Sequence, residues 1–261
     1  MKNKIITTSL IILSSFAYAQ ENNNKILVEY TSTEGTVMNK ERLLATQDKA
    51  IYITDSLYIK FKKNENIIKE DEETNSLTIR TNTIKFDANI YYIRLDSDVI
   101  FFNKEMDENI VTVKDSIPKL VWELIPEETK KINNFICNKA ILNYRGSKLI
   151  AYYTNEIPIS FGPWKFKGLP GLILEIYNVS GDMFHHWVAD KIVYPFENDK
   201  KTNFTISKEK EVVDLKTYIE YMENKIRKLM RISDSRTPKG VTVATRKLNR
   251  IGIEKVYEWE Q

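Results

Sequence analysis

Ile136-Cys137-Asn138-Lys139-Ala140-Ile141-Leu142-Asn143-Tyr144 and Lys148-Leu149-Ile150-Ala151-Tyr152-Tyr153-Thr154 are two apolar runs, rich in β-branched and aromatic residues, separated by Arg145-Gly146-Ser147. A glycine-containing break of this length between such runs predicts a β-hairpin. The pattern recurs downstream, where Leu172–Tyr177 and Met183–Val193 flank Asn178-Val179-Ser180-Gly181-Asp182. Upstream, strand signals come at Ile26–Thr31, Ala50–Thr54, Leu57–Phe61, Leu77–Arg80, Ile90–Leu95 and Val99–Phe102, with the turn-type cluster Asp96-Ser97-Asp98 between the last two. Glu70-Asp71-Glu72-Glu73 reads as the centre of a solvated loop. Short strands at close spacing, with no strand–helix–strand rhythm, describe an antiparallel sheet rather than a parallel one.

One helix is predicted late. Asp214 stands where a cap is needed, and Leu215, Tyr218, Ile219, Met222, Ile226, Leu229 and Met230 recur at three- and four-residue steps, opposite Lys216, Glu220, Glu223, Lys225 and Lys228. A lone amphipathic helix must bury its stripe, and the concave or edge face of the sheet is the place for it. The fold expected is therefore mostly β (α+β): a curved antiparallel sheet or half-barrel with one C-terminal amphipathic helix packed on it. A short strand at Val241-Thr242-Val243 and an irregular tail end the chain.

The first residues carry an address. Lys2 and Lys4, the apolar stretch Ile5–Phe16 and the small-x-small run Ala17-Tyr18-Ala19 make residues 1–19 a signal peptide with Gln20 as the mature terminus. Residues 20–261 then form a single domain, expected to be exported, with the periplasm favoured over the cell surface. Removal of two lysines lowers the formal charge from +3 to +1, so nothing in the total calls for nucleic acid. The positive charge is concentrated instead. Lys225, Arg227, Lys228, Arg231, Arg236, Lys239, Arg246, Lys247 and Arg250 face only Asp234 between residues 225 and 250. Either they are a solvated helix end and tail, or Lys225, Arg227, Lys228 and Arg231 dock on an anionic membrane surface.

The composition, 42% apolar and 29% charged, is that of a folded globular chain. One cysteine excludes an intramolecular disulfide framework, and two adjacent histidines leave little for a metal centre. Cys137 reads as a buried small hydrophobe in preference to a reactive thiol.

Three of the eight glycines and three of the seven prolines fall within residues 158–171 of the stretch Ile157-Pro158-Ile159-Ser160-Phe161-Gly162-Pro163-Trp164-Lys165-Phe166-Lys167-Gly168-Leu169-Pro170-Gly171-Leu172-Ile173. Proline fixes φ and glycine permits positive φ or close approach, so this is a constrained loop, and its aromatic residues make it a packed one. It either rims a pocket, with Phe161, Trp164, Phe166, Leu169, Pro170 and Leu172 as ligand or partner contacts, or it plugs the core.

Gly168-Leu169-Pro170-Gly171-Leu172-Ile173 spells GLPGLI. With Cys137-Asn138-Lys139-Ala140, Ala151-Tyr152-Tyr153-Thr154, Glu156-Ile157-Pro158-Ile159 and Gly162-Pro163, it makes the chain resemble the GLPGLI family of exported Bacteroidota proteins. Tyr152 stands where that family usually has tryptophan, and Asn249-Arg250-Ile251-Gly252-Ile253-Glu254 replaces its usual Asn-Pro-Ile-Glu ending. The resemblance implies a signal peptide, a cell-envelope location and a β-rich domain, and assigns no catalytic residue. A weaker similarity, of fold only, is to periplasmic half-barrels of the lipoprotein-carrier type.

Catalytic constellations are sparse. His185 and His186 sit on a strand pattern and so point to opposite faces, one toward the core. They do not chelate one metal as a pair, although Asp182 or Asp190 stands near them. Cys137 reaches a histidine only if its strand pairs with theirs. No Gly-x-Ser-x-Gly elbow and no phosphate-cradling loop is present, so no cofactor is expected. The expected function is a non-catalytic carrier or binding protein for an apolar ligand or lipid. The alternatives are an assembly factor for an outer-membrane protein, and a hydrolase-like enzyme using His185 or His186.

Overall fold

The computed structural model describes residues 25–54, 59–61, 67–71, 76–80, 83–85, 89–107, 109–179, 183–197, 210–235 and 248–260. The strands are β1 (Ile26–Glu34), β2 (Val37–Ala45), β3 (Lys49–Thr54), β4 (Ile59–Phe61), β5 (Ile67–Asp71), β6 (Ser76–Arg80), β7 (Thr83–Lys85), β8 (Asn89–Arg94), β9 (Val99–Met106), β10 (Asn109–Ser116), β11 (Glu123–Ile132), β12 (Phe135–Tyr144), β13 (Ser147–Thr154), β14 (Leu172–Asn178), β15 (His185–Val193) and β16 (Val212–Asp214). Helix α1 spans Leu215–Ser235.

Twelve strands form one open sheet in the order β11-β12-β13-β14-β15-β1-β2-β3-β8-β9-β10-β16. It consists of two antiparallel meanders joined where β1 pairs with β15, and only the β10–β16 edge is parallel. Strands β4 with β7 and β5 with β6 form two small pairs between β3 and β8. Glu70 and Asp71 therefore belong to β5 rather than to a loop. Residues 1–24, 57–58, 72–73 and 241–243, where the signal peptide and parts of other expected segments fall, lie outside the described residues.

Alternation fixes an inner face. Ile26, Val28 and Tyr30 of β1, Ala50 and Tyr52 of β3, Tyr91 and Ile93 of β8, and Trp187 and Ala189 of β15 are all buried. The sheet curls around that face. Nine strand spacings separate β12 from β10, which is about 43 Å on a flat sheet. Yet Arg145, in the turn after β12, holds Asp115 of β10 at 2.8 Å. The two ends are tied by side chains, not by a backbone ladder.

That turn is the short hairpin the sequence predicts: Tyr144 pairs with Ser147, and Arg145 and Gly146 both take positive φ (44° and 83°), as a type I′ turn requires. Helix α1 begins where expected, with the Thr217 amide donating to the Asp214 carboxylate at 2.9 Å. It packs at the β10–β16 edge through Leu215, Tyr218 and Ile219, while Ile226 and Leu229 further along its stripe are exposed.

Candidate functional site

The Gly/Pro stretch after β13 is a plug. Ile157, Ile159, Phe161, Phe166, Leu169 and Leu172 are buried at 1% to 3% exposure or less against the inner face. Four of the six residues considered as contacts (Phe161, Phe166, Leu169 and Leu172) are thus core residues. Their apolar surface is spent on one another, and a ligand reaches them only if the loop moves. Pro170 is exposed and Trp164 is half-buried.

Two lysines nail the plug in place. Lys165 is 2% exposed and donates to Asp115 at 2.7 Å and to Glu254 at 2.8 Å. Lys167 donates to the carbonyls of Arg94 (2.8 Å) and Ser97, in the β8–β9 connection. Asp115 also takes both arms of Arg145, and Arg145 reaches on to Glu254 at 2.5 Å and Glu258 at 3.0 Å. Burial opposes the charge on Asp115, but Lys165 and Arg145 outweigh it and hold the carboxyl below its ordinary range. Burial likewise opposes the Arg145 charge, and Asp115 and Glu258 outweigh it. The C-terminal tail packs against this network: Ile253 and Tyr257 are buried, and Glu254 joins it.

Above the plug the inner face leaves a cavity of about 230 Å³, lined by Ser32, Glu34, Asn39, Glu41, Thr54, Asn89, Tyr91, Lys104, Trp164, His185, Trp187 and Ile253. Its floor is rigid. Glu41 accepts from Tyr52 Oη and from Trp187 Nε1, the latter at 2.8 Å, and burial raises its pKa. Trp164 lies parallel to Trp187, with ring centres 6.1 Å apart and 9° between planes. It does so at φ 55°, a left-handed conformation unusual for a bulky residue and held by the plug around it. Lys104 projects into the same cavity. Burial and the neighbouring Lys165 push its ammonium down to about 8, and among the described residues it makes no ion pair.

The histidines separate as strand alternation demands. His185 faces inward, and burial lowers its pKa. Its Nε2 has no hydrogen-bond partner among the described residues; Gly252 covers it, and Glu34 stands 3.9 Å away. His186 faces outward, 2.9 Å from Glu175, which Lys130 also pairs at 2.5 Å. Asp190 is engaged by Lys40 at 2.6 Å, and Asp182 lies outside the described residues.

The conditional Cys–His contact is not formed, because β13 and β14 lie between the strands of Cys137 and His186. Cys137 is fully buried, and burial pushes its thiol up to about 12. The native protein is accordingly expected to resist a thiol-specific reagent at pH 8 and to react fully in denaturant; fast native labelling would show that β12 opens. Among the described residues no three His, Cys, Asp or Glu side chains group as a metal site needs, and no helix is long and apolar enough to cross a membrane.

Of the expected membrane-docking cations, Lys225, Lys228 and Arg231 are exposed, whereas Arg227 pairs with Glu223 at 3.2 Å. Arg250 is removed from the basic run by Glu223 and Glu260, each at 2.6 Å.

Residues 144–175 match a family described as a protein of unknown function, Porph_ging. This stretch carries Arg145, Trp164, Lys165 and Lys167, so the Porph_ging match coincides with the plug and its clamps. No curated protein matches the chain. Among solved structures the fold is similar to that of PNGF-II in its C2 crystal form, with a TM-score of 0.50 at 15% identity, over 76% of this chain and 32% of that one. In its P21 form the values are 0.51 and 14%, over 76% and 33%. The chain thus spans about a third of the length of those structures, and the likeness is one of fold.

Sequence reasoning passed over Glu41, Lys104, Lys165 and Lys167. The signal available for the two loop lysines was their position, alternating with Trp164 and Phe166 in a run too apolar to be solvated.

Proposed function

We propose that the chain is an exported cell-envelope binding protein of the GLPGLI type that holds a small ligand in the inner cavity without transforming it. The observation that carries this reading is the cavity itself. A preformed space lined by Trp164, Tyr91 and Trp187 together with Ser32, Asn39 and Lys104 has the mixed lining of a small-molecule site. The lining favours a compact, partly polar ligand over an acyl chain, since the apolar side chains of the plug already fill one another. Catalysis has less support, because His185 Nε2 is covered by Gly252 and His186 is engaged by Glu175.

The test is a thermal-shift survey of small envelope metabolites against residues 20–261 and a Trp164→Ala variant. Compounds that raise the melting temperature of the native chain should lose about tenfold or more in affinity when Trp164 is truncated. A survey in which nothing stabilises the native chain, or in which Trp164→Ala changes nothing, would overturn the reading.

A further inference from the structure

We propose that the ligand of the inner cavity is a small single-ring monocarboxylate, its ring against Trp164 and its carboxylate on Lys104. The inference rests on the binding reading above and adds the chemical class.

Charge decides it. From the elements packed around Lys104, the charged or titratable groups that face it are Glu34 of β1, Glu41 of β2, Lys165 of the plug, His185 of β15 and Glu254 of the tail. Lys165 and Glu254 are bound to each other and to the Asp115–Arg145 pair. Glu41 is committed to Tyr52 and Trp187. Glu34 is more than half exposed and makes no ion pair with Lys104. Lys104 thus makes no ion pair in direct contact among the described residues, Glu34 and Glu254 acting on it only from a distance, and an anion in the cavity would supply the contact.

The number of negative charges is limited as well. Lys104 is the one cation without an ion pair among the residues lining the cavity, and Glu34 and Glu41 stand on the same walls. Each negative charge a ligand brings is repelled by those two carboxylates, so a dianion such as a phosphate monoester is disfavoured more strongly than a monocarboxylate, for which one contacting ammonium suffices. The rest of the ligand is set by Trp164, half-buried, with Trp187 stacked on it and the Lys165 ammonium 4.6 Å from its ring centre; it lines the cavity with the apolar surface those two contacts leave uncovered.

The experiment uses residues 20–261 and three probes of one shape: benzoate, benzamide and phenyl phosphate, titrated by calorimetry or by ligand-observed NMR at pH 7. Benzoate is expected to bind about tenfold or more tightly than either of the others. Lys104→Met should abolish that preference, bringing benzoate down to benzamide, and should melt no lower than the native chain, since it removes a buried charge without a partner. Benzamide binding as well as benzoate would overturn the carboxylate while leaving the cavity reading intact. Tighter phenyl phosphate would overturn the single charge. Equal loss of all probes in Lys104→Met would make the lysine a wall rather than a ligand contact and overturn its role. No binding of any probe at about 10 mM would overturn the inference, and the survey above would then decide whether the cavity reading falls with it.

Discussion

A Gly171→Ala variant is expected to fail to fold, or to fold with a loss of about 4 kcal/mol or more, at the extreme of single substitutions. A Cβ built on Gly171 falls 2.0 Å from the Thr154 carbonyl oxygen and 2.7 Å from its carbon. Both are backbone atoms at the end of β13, so no side chain can swing away, and relief requires the plug to lift off the sheet. The first glycine of the motif serves a different purpose. Gly168 has open space around it but a φ of 90°, so Gly168→Ala should lose only about 1–2 kcal/mol through backbone strain. Urea unfolding of the two variants side by side checks the argument. If Gly171→Ala unfolds at the native midpoint, the close approach of plug and strand is wrong.

The other large effect is expected at Asp115. Truncating it to alanine leaves Arg145 and Lys165, exposed at 1% and 2% in their side chains, without the one fully buried carboxylate that pairs with both, and with only Glu254 and Glu258 nearer the surface to oppose them. Breaking a buried ionic set from one side destabilises by about 3–5 kcal/mol. The same group gives the native protein an acid limb. Its pKa is lower folded than unfolded, so its contribution is complete above the ordinary aspartate range near ~4 and disappears as the pH falls through the folded value. Asp115→Ala should be less stable at neutral pH and show a shallower acid limb. A variant equal to the native chain at pH 7 would mean that the network adds nothing net, as buried ion sets sometimes do.

Much of the sheet was legible because half-buried strands alternate, and because Arg145-Gly146 and the Asn178–Asp182 cluster mark hairpins. What escaped has physical reasons. Strand β11 is exposed on both faces and bulged between Ile125 and Thr129, so Pro126-Glu127-Glu128 within it reads as loop. Strand β2 puts Asn39 and Glu41 on the inner face, where a core would place apolar residues, because that part of the face borders the cavity. The ionic cluster joins Asp115, Arg145, Lys165 and Glu254, residues far apart in sequence with no local spacing to announce them. The histidines were resolved only as far as opposite faces. The covering of His185 by Gly252 depends on a tail whose path no pattern encodes.

The seam between the two meanders has a kinetic consequence. Strand β1 precedes the other described strands in the chain, and one of its two neighbours is β15: Tyr30 pairs with Ala189 and Thr31 with Val188. Its other edge is satisfied early by β2, a hairpin neighbour. Until β15 has been made, β1 keeps a bare ladder of amide and carbonyl groups along a strand that opens with Ile26, Leu27 and Val28, a template for the wrong partner. Closing the seam orders a long intervening segment at once, and such non-local pairing is what makes β proteins fold slowly. A nascent chain of this design needs its first strand shielded until its last ones arrive.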